Sequence, residues 1–172
     1  MGLASHLGPW LLGTVKDTVG TNAALGQIRN MGATIVSQTY TAPFSVMTTS
    51  PTAQQMFTLP AGSKILRFGV EVVTALSGGS VSNCGLVIGT SGTANLYVTT
   101  FNTGTSVAKV AQSTIDAAMQ VAQTNNIGST DVAIFGTFTA ATGNPTAGSI
   151  VVTCEYIVRL ADGTYAPTSS TY

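Results

Sequence analysis

Charge is what this chain has least of. Six Lys and Arg, six Asp and Glu and one His stand among 172 residues, 7% charged with a formal net charge of zero. An ordinary soluble domain carries about 25% charged residues. Acid–base, metal and nucleophilic catalysis need Asp, Glu, His, Lys and Cys close together, and here they are few and unclustered. That argues against an enzyme, a metal site or a cofactor. It also removes the repulsion that keeps free proteins apart, so the composition points to a component of an assembly.

Long hydrophobic runs are missing as well. Mean hydropathy is +0.37, yet no stretch approaches the roughly 20 consecutive apolar residues of a spanning helix, and no membrane partner is expected. The start, MGLASHLGPWLLG, lacks the basic and full-length apolar regions of a signal peptide. His6 stands where myristoylation of Gly2 requires Ser or Thr, and Asn144 is followed by Pro145, which spoils a glycosylation sequon. There are two cysteines, Cys84 and Cys154, with no CxxC and no His nearby. Each falls on the apolar phase of an expected strand, so they read as buried free thiols; a disulfide would need the two strands to face each other across the core.

The remaining chemistry is thin. His6 has no Asp or Cys at ligand or triad spacing. The carboxylates Glu71, Asp116, Asp131, Glu155 and Asp162 are scattered, whereas glycoside hydrolysis needs two facing each other at about 5–9.5 Å. Glu71 and Glu155 read instead as solvated or cross-strand-paired charges. No GxxxxGKS/T or strand-to-helix GxGxxG occurs, so phosphate cradling is unsupported. Lys16, Arg29, Lys64, Arg67, Lys109 and Arg159 form no basic stripe, which leaves nucleic acid without a footprint.

What is abundant is Thr, Ser, Gly and Asn between bursts of Val and Ile, a composition that favours strands and tight turns. Leu66, Phe68, Val70 and Val72 alternate with Arg67, Gly69 and Glu71. Likewise Ile150, Val152, Cys154, Tyr156, Val158 and Leu160 alternate with Thr153, Glu155 and Arg159. Both patterns are strands with apolar residues on one face and charges on the other. Shorter bursts at 84–88, 96–101 and 132–138, and weaker ones at 34–40 and 44–48, bring the total to seven or eight. Turn signals at Pro60-Ala-Gly62, Ser77-Gly-Gly-Ser80, Ser91-Gly92, Asn102-Thr-Gly104 and Gly143-Asn-Pro145 separate them. This spacing predicts an all-β sandwich or jelly roll. Residues 113–122 are ambiguous: Ile115 and Met119 at i, i+4 and a Ser113 to Asp116 capping box suit a short helix, while 119–123 also reads as a strand.

Three aromatics, Tyr97, Phe101 and Phe135, fall on the phase opposite the apolar one. Covered by a second sheet or a neighbouring subunit they are core or interface; left open, they would stack on sugar rings. Residues 1–32 read as an extended, irregular arm, interrupted by glycines at 8, 13, 20 and 26. Its cluster Trp10, Leu11 and Leu12, with Ile28, suits docking on another surface better than a loose end. The expected organisation is thus an arm (1–32), a jelly-roll sandwich (33–160) and a short tail (161–172).

The block from Leu59-Pro-Ala-Gly62 into the strand at 65–74 is followed by Leu86-Val-Ile-Gly89-Thr-Ser-Gly92, Ala94-Asn-Leu-Tyr97 and Thr146-Ala-Gly-Ser-Ile-Val-Val-Thr-Cys-Glu-Tyr-Ile157. It resembles the jelly-roll head decoration, or cement, proteins of tailed bacteriophages. Gly13-Thr-Val-Lys and Ile28-Arg-Asn-Met-Gly-Ala-Thr are similar to the leading segment of such proteins. The resemblance implies a virion structural protein on the outer surface of the capsid. Its partners would be the major capsid protein and further copies of itself in a homotrimer. Minor tail, collar or fibre-base protein is the alternative within a virion, and a carbohydrate-binding β-module the alternative outside one.

Overall fold

A computed structural model describes residues 20–22, 26–28, 33–110 and 116–160. Two short strands, β1 (Gly20–Asn22) and β2 (Gly26–Ile28), pair antiparallel within the expected arm, so this part of it is a hairpin rather than irregular chain. Gly20 and Gly26 begin these strands instead of interrupting them. Trp10, Leu11 and Leu12 lie outside the described residues, as does the expected tail, 161–172.

Eight strands follow: β3 (Ala33–Pro43), β4 (Gln54–Leu59), β5 (Lys64–Ser77), β6 (Asn83–Gly89), β7 (Val98–Asn102), β8 (Ala108–Val110), β9 (Val132–Ala141) and β10 (Ala147–Leu160). They form two antiparallel sheets, sheet I in the order β3-β10-β5-β8 and sheet II in the order β4-β9-β6-β7. Consecutive strands change sheet at every connection except the β6–β7 hairpin, and the two orders match position by position. This is the jelly-roll arrangement, two Greek keys wrapped into one sandwich.

The core lies between the sheets. From sheet I it takes Ile65, Phe68, Val70, Val72, Ile150, Val152, Cys154 and Tyr156; from sheet II, Phe57, Leu59, Cys84, Leu86, Ile88, Val98, Phe101, Ile134 and Phe138. Alternation holds unbroken along β10, where Ile150, Val152, Cys154 and Tyr156 are buried. Along β5 it does not. Tyr156 pairs with Ile65 and Glu155 with Arg67, so Leu66 is an extra residue in a bulge. Ile65 is therefore buried in the place the alternation assigned to Leu66, which is only half-buried.

The ambiguous stretch is a helix, α1 (Ala117–Thr124), and not a strand. Met119 and Ala122, three residues apart, form its buried face. Asp116 occupies the N-cap position itself, and its carboxylate accepts from the Thr99 backbone N–H at 2.6 Å rather than from the helix. At the other end Gln123 Nε2 donates to the Leu66 carbonyl at 2.8 Å. The helix thus satisfies a backbone group at the bulge.

The expected strand at 44–48 is instead a single 3-10 turn, Phe44–Val46, because the chain leaves sheet I after Pro43 and closes with Met47 N–H on Phe44 O at 3.0 Å. Conversely, β4 and β8 carry too little apolar alternation to stand out. At one end of the sandwich the β5–β6 and β9–β10 turns meet so closely that a Cβ on Gly79 would lie 1.7 Å from the Asn144 carbonyl oxygen. Gly79 also has φ +58°, and both facts require glycine there.

Replacing Gln123 with Ala strips the Leu66 carbonyl of its partner and is expected to cost about 1–2 kcal/mol. Urea unfolding should show a lower midpoint with an unchanged slope, while Val121→Ala on the exposed side of α1 should have little effect.

Candidate interaction surfaces

The two outer faces of the sandwich differ in one respect above all. The strands of sheet I contain Lys64, Arg67, Glu71, Lys109, Glu155 and Arg159; those of sheet II contain no charged residue. Both faces follow from register. On sheet I, Glu155 lies directly across from Arg67, and Glu71 across from Lys109. Arg67 and Glu155 form a two-pronged ion pair, Nε to Oε2 and Nη2 to Oε1, each at 2.7 Å. The hydrogen bonds to Glu155 raise the Arg67 pKa, and the same bonds hold the Glu155 carboxyl below its ordinary value. The pair is solvent-exposed and orders the face more than it stabilises the fold.

Between the row of Arg67 and Glu155 and the row of Glu71 and Lys109, the floor is made by Gly69, which has no side chain, opposite Thr153. The result is a hollow of about 470 Å³ with charged walls. Glu155 is level with Arg67, four residues from Glu71, so the backbones that carry the two carboxylates are offset by about 13 Å along the strand, and the Glu155 carboxylate is engaged by Arg67. Asp131 is occupied by the Ala61 N–H at 2.9 Å and Asp116 by Thr99. Among the described residues no group of three or more His, Cys, Asp or Glu is placed to hold a metal ion.

Sheet II presents Gln55 and Thr58 from β4, Ala133, Phe135, Thr137 and Thr139 from β9, and Gly85 and Val87 from β6. Phe135 sits half-buried between Gln55 and Gly89, its direct partners on the flanking strands. This agrees with its position on the outward phase. Tyr97 and Phe101 do not: both belong to the core, at 7% and 1% exposure, and neither is available to a sugar. The reason is again a bulge. Phe101 pairs with Leu86 and Val98 with Ile88, so the three-residue step from Val98 to Phe101 brings both inward, where strict alternation would have separated them. Tyr97 precedes the strand, is held by its N–H on Ile88 O at 2.9 Å, and lies against Phe68 of sheet I at 6.1 Å between ring centres. Ile28 ends β2; Trp10, Leu11 and Leu12, the other expected arm contacts, lie outside the described residues.

The cysteines are free and buried, one in each sheet. Burial pushes the Cys84 thiol up to about 11, against a weaker opposing effect of Thr103. Burial and then the nearby Glu155 push Cys154 up to about 12. Neither is a nucleophile at neutral pH.

No protein-family model matches this sequence, and no curated protein matches it. Two solved structures are similar in fold. One is a chain of the cyanophage Pam1 capsid asymmetric unit, at 19% identity and a TM-score of 0.47, over 80% of this chain and 97% of that one. The other is a chain of the acidic stable capsid structure of Helicobacter pylori bacteriophage KHP30, at 13% identity and a TM-score of 0.45, over 74% of this chain and 90% of that one. At these values the likeness is one of strand course and says nothing of what this chain does.

With both thiols disfavoured as thiolates, native protein at pH 8 should react with a thiol reagent about a hundredfold or more slowly than unfolded protein. Because the folded pKa values exceed the ordinary 9.0, this contribution to stability is complete below pH 9 and is lost as the pH rises through 11–12. A denaturant series from pH 8 to 11 should show falling stability, and Cys84→Ser, Cys154→Ala should flatten that fall.

Proposed function

We propose that the chain is a virion structural protein, a head decoration or cement protein that binds the outside of an assembled major capsid lattice and stabilises the head. The observation that carries this reading is the division of charge: six charged residues in sheet I and none in sheet II. A neutral face of Thr, Ala, Gly, Gln and Val around Phe135 meets a large protein surface without desolvating charges. It also gains nothing from electrostatic steering, so it suits an immobile, repetitive partner better than a diffusing one. The charged face then points to solvent and keeps the coated particle soluble.

In this reading the arm, through Trp10, Leu11, Leu12 and Ile28, lies along the lattice, and the sandwiches associate side by side as a homotrimer. Each contact is modest. Three copies bound as a unit gain avidity over one by roughly 10²–10⁴. No helix among the described residues is long and apolar enough to cross a membrane, and no nucleic acid or cofactor enters the proposal.

The test is co-sedimentation with empty, expanded capsids. Thr58→Lys with Thr139→Lys puts two charges on exposed positions of the sheet II face and should weaken binding about tenfold or more, equivalent to 1.4 kcal/mol per decade. Removing residues 1–32 should weaken it comparably while leaving the sandwich folded. Full affinity after the truncation would remove the arm from the interface; full affinity in the double lysine variant would remove sheet II. Failure of the unaltered chain to bind any capsid would overturn the reading as a whole.

A further inference from the structure

A two-sheet sandwich has four edge strands, each a row of unpaired backbone donors and acceptors that invites another strand. In this molecule three of the four are guarded. β8 is three residues long and carries Lys109. β7 is interrupted by the bulge between its pairings with Leu86 and Ile88, and the Thr99 N–H is taken by Asp116. β4 has six residues and a bulge at Met56. The fourth, β3, has none of these devices. It runs for 11 residues, ATIVSQTYTAP, with no charge and with proline only at its last position. Its ladder with β10 is uninterrupted from Pro43 to Ile35, and among the described residues no strand pairs its other side.

We infer that β3 is a self-association edge: two copies of the chain pair β3 to β3, antiparallel about a two-fold axis through Thr39, and so join their four-stranded sheets into one of eight. Three features point to a second copy of the same strand as the occupant. The first is length, since the other edges, of three, five and six residues, would leave at least five of the 11 residues of β3 unpaired. The second is the side-chain pattern of the exposed phase, Ile35, Ser37, Thr39 and Thr41. A two-fold at Thr39 sets Thr39 opposite Thr39 and Ser37 opposite Thr41, pairs that hydrogen-bond across antiparallel strands and bring no like charges together.

The third is where the exposed apolar side chains lie. Ile35, at 60% exposure, and Phe44, at 39%, stand at opposite ends of β3. The same two-fold places Ile35 of each copy opposite Pro43 of the other, next to Phe44, at both ends of the seam. The seam runs over the nine residues from Ile35 to Pro43, about 30 Å at 3.3 Å per residue, but is only one strand deep. It buries less than the roughly 1,200–2,000 Å² of a standard stable interface. Association of the free chain is therefore concentration-dependent and strengthens wherever copies are already held side by side.

The inference does not rest on the capsid reading and is tested on the purified full chain alone. Sedimentation across a concentration series should show self-association by the unaltered protein. Thr39→Lys should weaken it about tenfold or more by setting like charges opposite each other, and Thr39→Glu should do the same. An equimolar mixture of the two should restore it as a heteromeric pair. Thr39 is exposed, so both variants should keep the near-UV circular dichroism and thermal unfolding of the parent. Thr39→Cys should give a symmetric disulfide-linked dimer on mild oxidation, Cys84 and Cys154 being buried. A chain that stays monomeric at the highest concentration reached overturns the inference. So does association, as a trimer or any other species, that Thr39→Lys leaves unchanged, or a mixture no better than its components.

Discussion

The pairing of β5 with β10 is the contact on which the remaining strands depend. Each strand has 14 residues, and together they form the middle of sheet I. Their register sets Cys154 beside Phe68 and Val152 beside Val70 on the core side. On the other side it sets Glu155 beside Arg67 and Thr153 beside Gly69. One alignment thus fixes the apolar floor of the sandwich, the ion pair on its surface and the hollow between the charged rows. A slip of β5 by one residue would bury Arg67 and Glu71 and expose Phe68, Val70 and Val72, a far larger penalty than any local preference can offset. The Leu66 bulge is how the strand keeps that register and still buries Ile65, and α1 exists in part to satisfy the bulge through Gln123.

Where alternation was regular, the sequence was easily read. β10 and the middle of β5 show their buried and exposed sets residue by residue, and alternation alone puts the Arg67, Glu71 and Glu155 charges on an outer face. The departures from alternation cluster at bulges. Leu66 leaves the face that alternation gives it, and Phe101, open in the sequence between core and sugar stacking, is core, because a bulge inserts one residue and reverses the phase beyond it, and no residue type announces it. Tyr97 is core for a related reason: it packs from a turn, where period two has no meaning. β4 and β8 were missed because a strand of three to six residues, with Gln-Gln or Lys in it, holds too few alternations to register. The 44–48 segment failed at Pro43, where the strand ends and the chain turns.

The surfaces were legible only in part. Scarcity of charge was plain, but its distribution was not, since sequence order interleaves the two sheets: β5 is charged, β6 is not, β8 is, β9 is not. Only the topology sorts those strands into a charged sheet and a neutral one. The same sorting identifies the edges. Nothing in ATIVSQTYTAP distinguishes an edge from a central strand until β10 is found on one side of it and no described strand on the other.

The proposed role makes this protein a repeated part of a shell. The most direct measurement is its copy number in purified particles, by quantitative mass spectrometry against the major capsid protein. The account predicts a copy number on the scale of the major capsid protein, a regular fraction of its subunits. A handful of copies per particle would assign it to a tail or collar, and absence from the particles would contradict the account altogether.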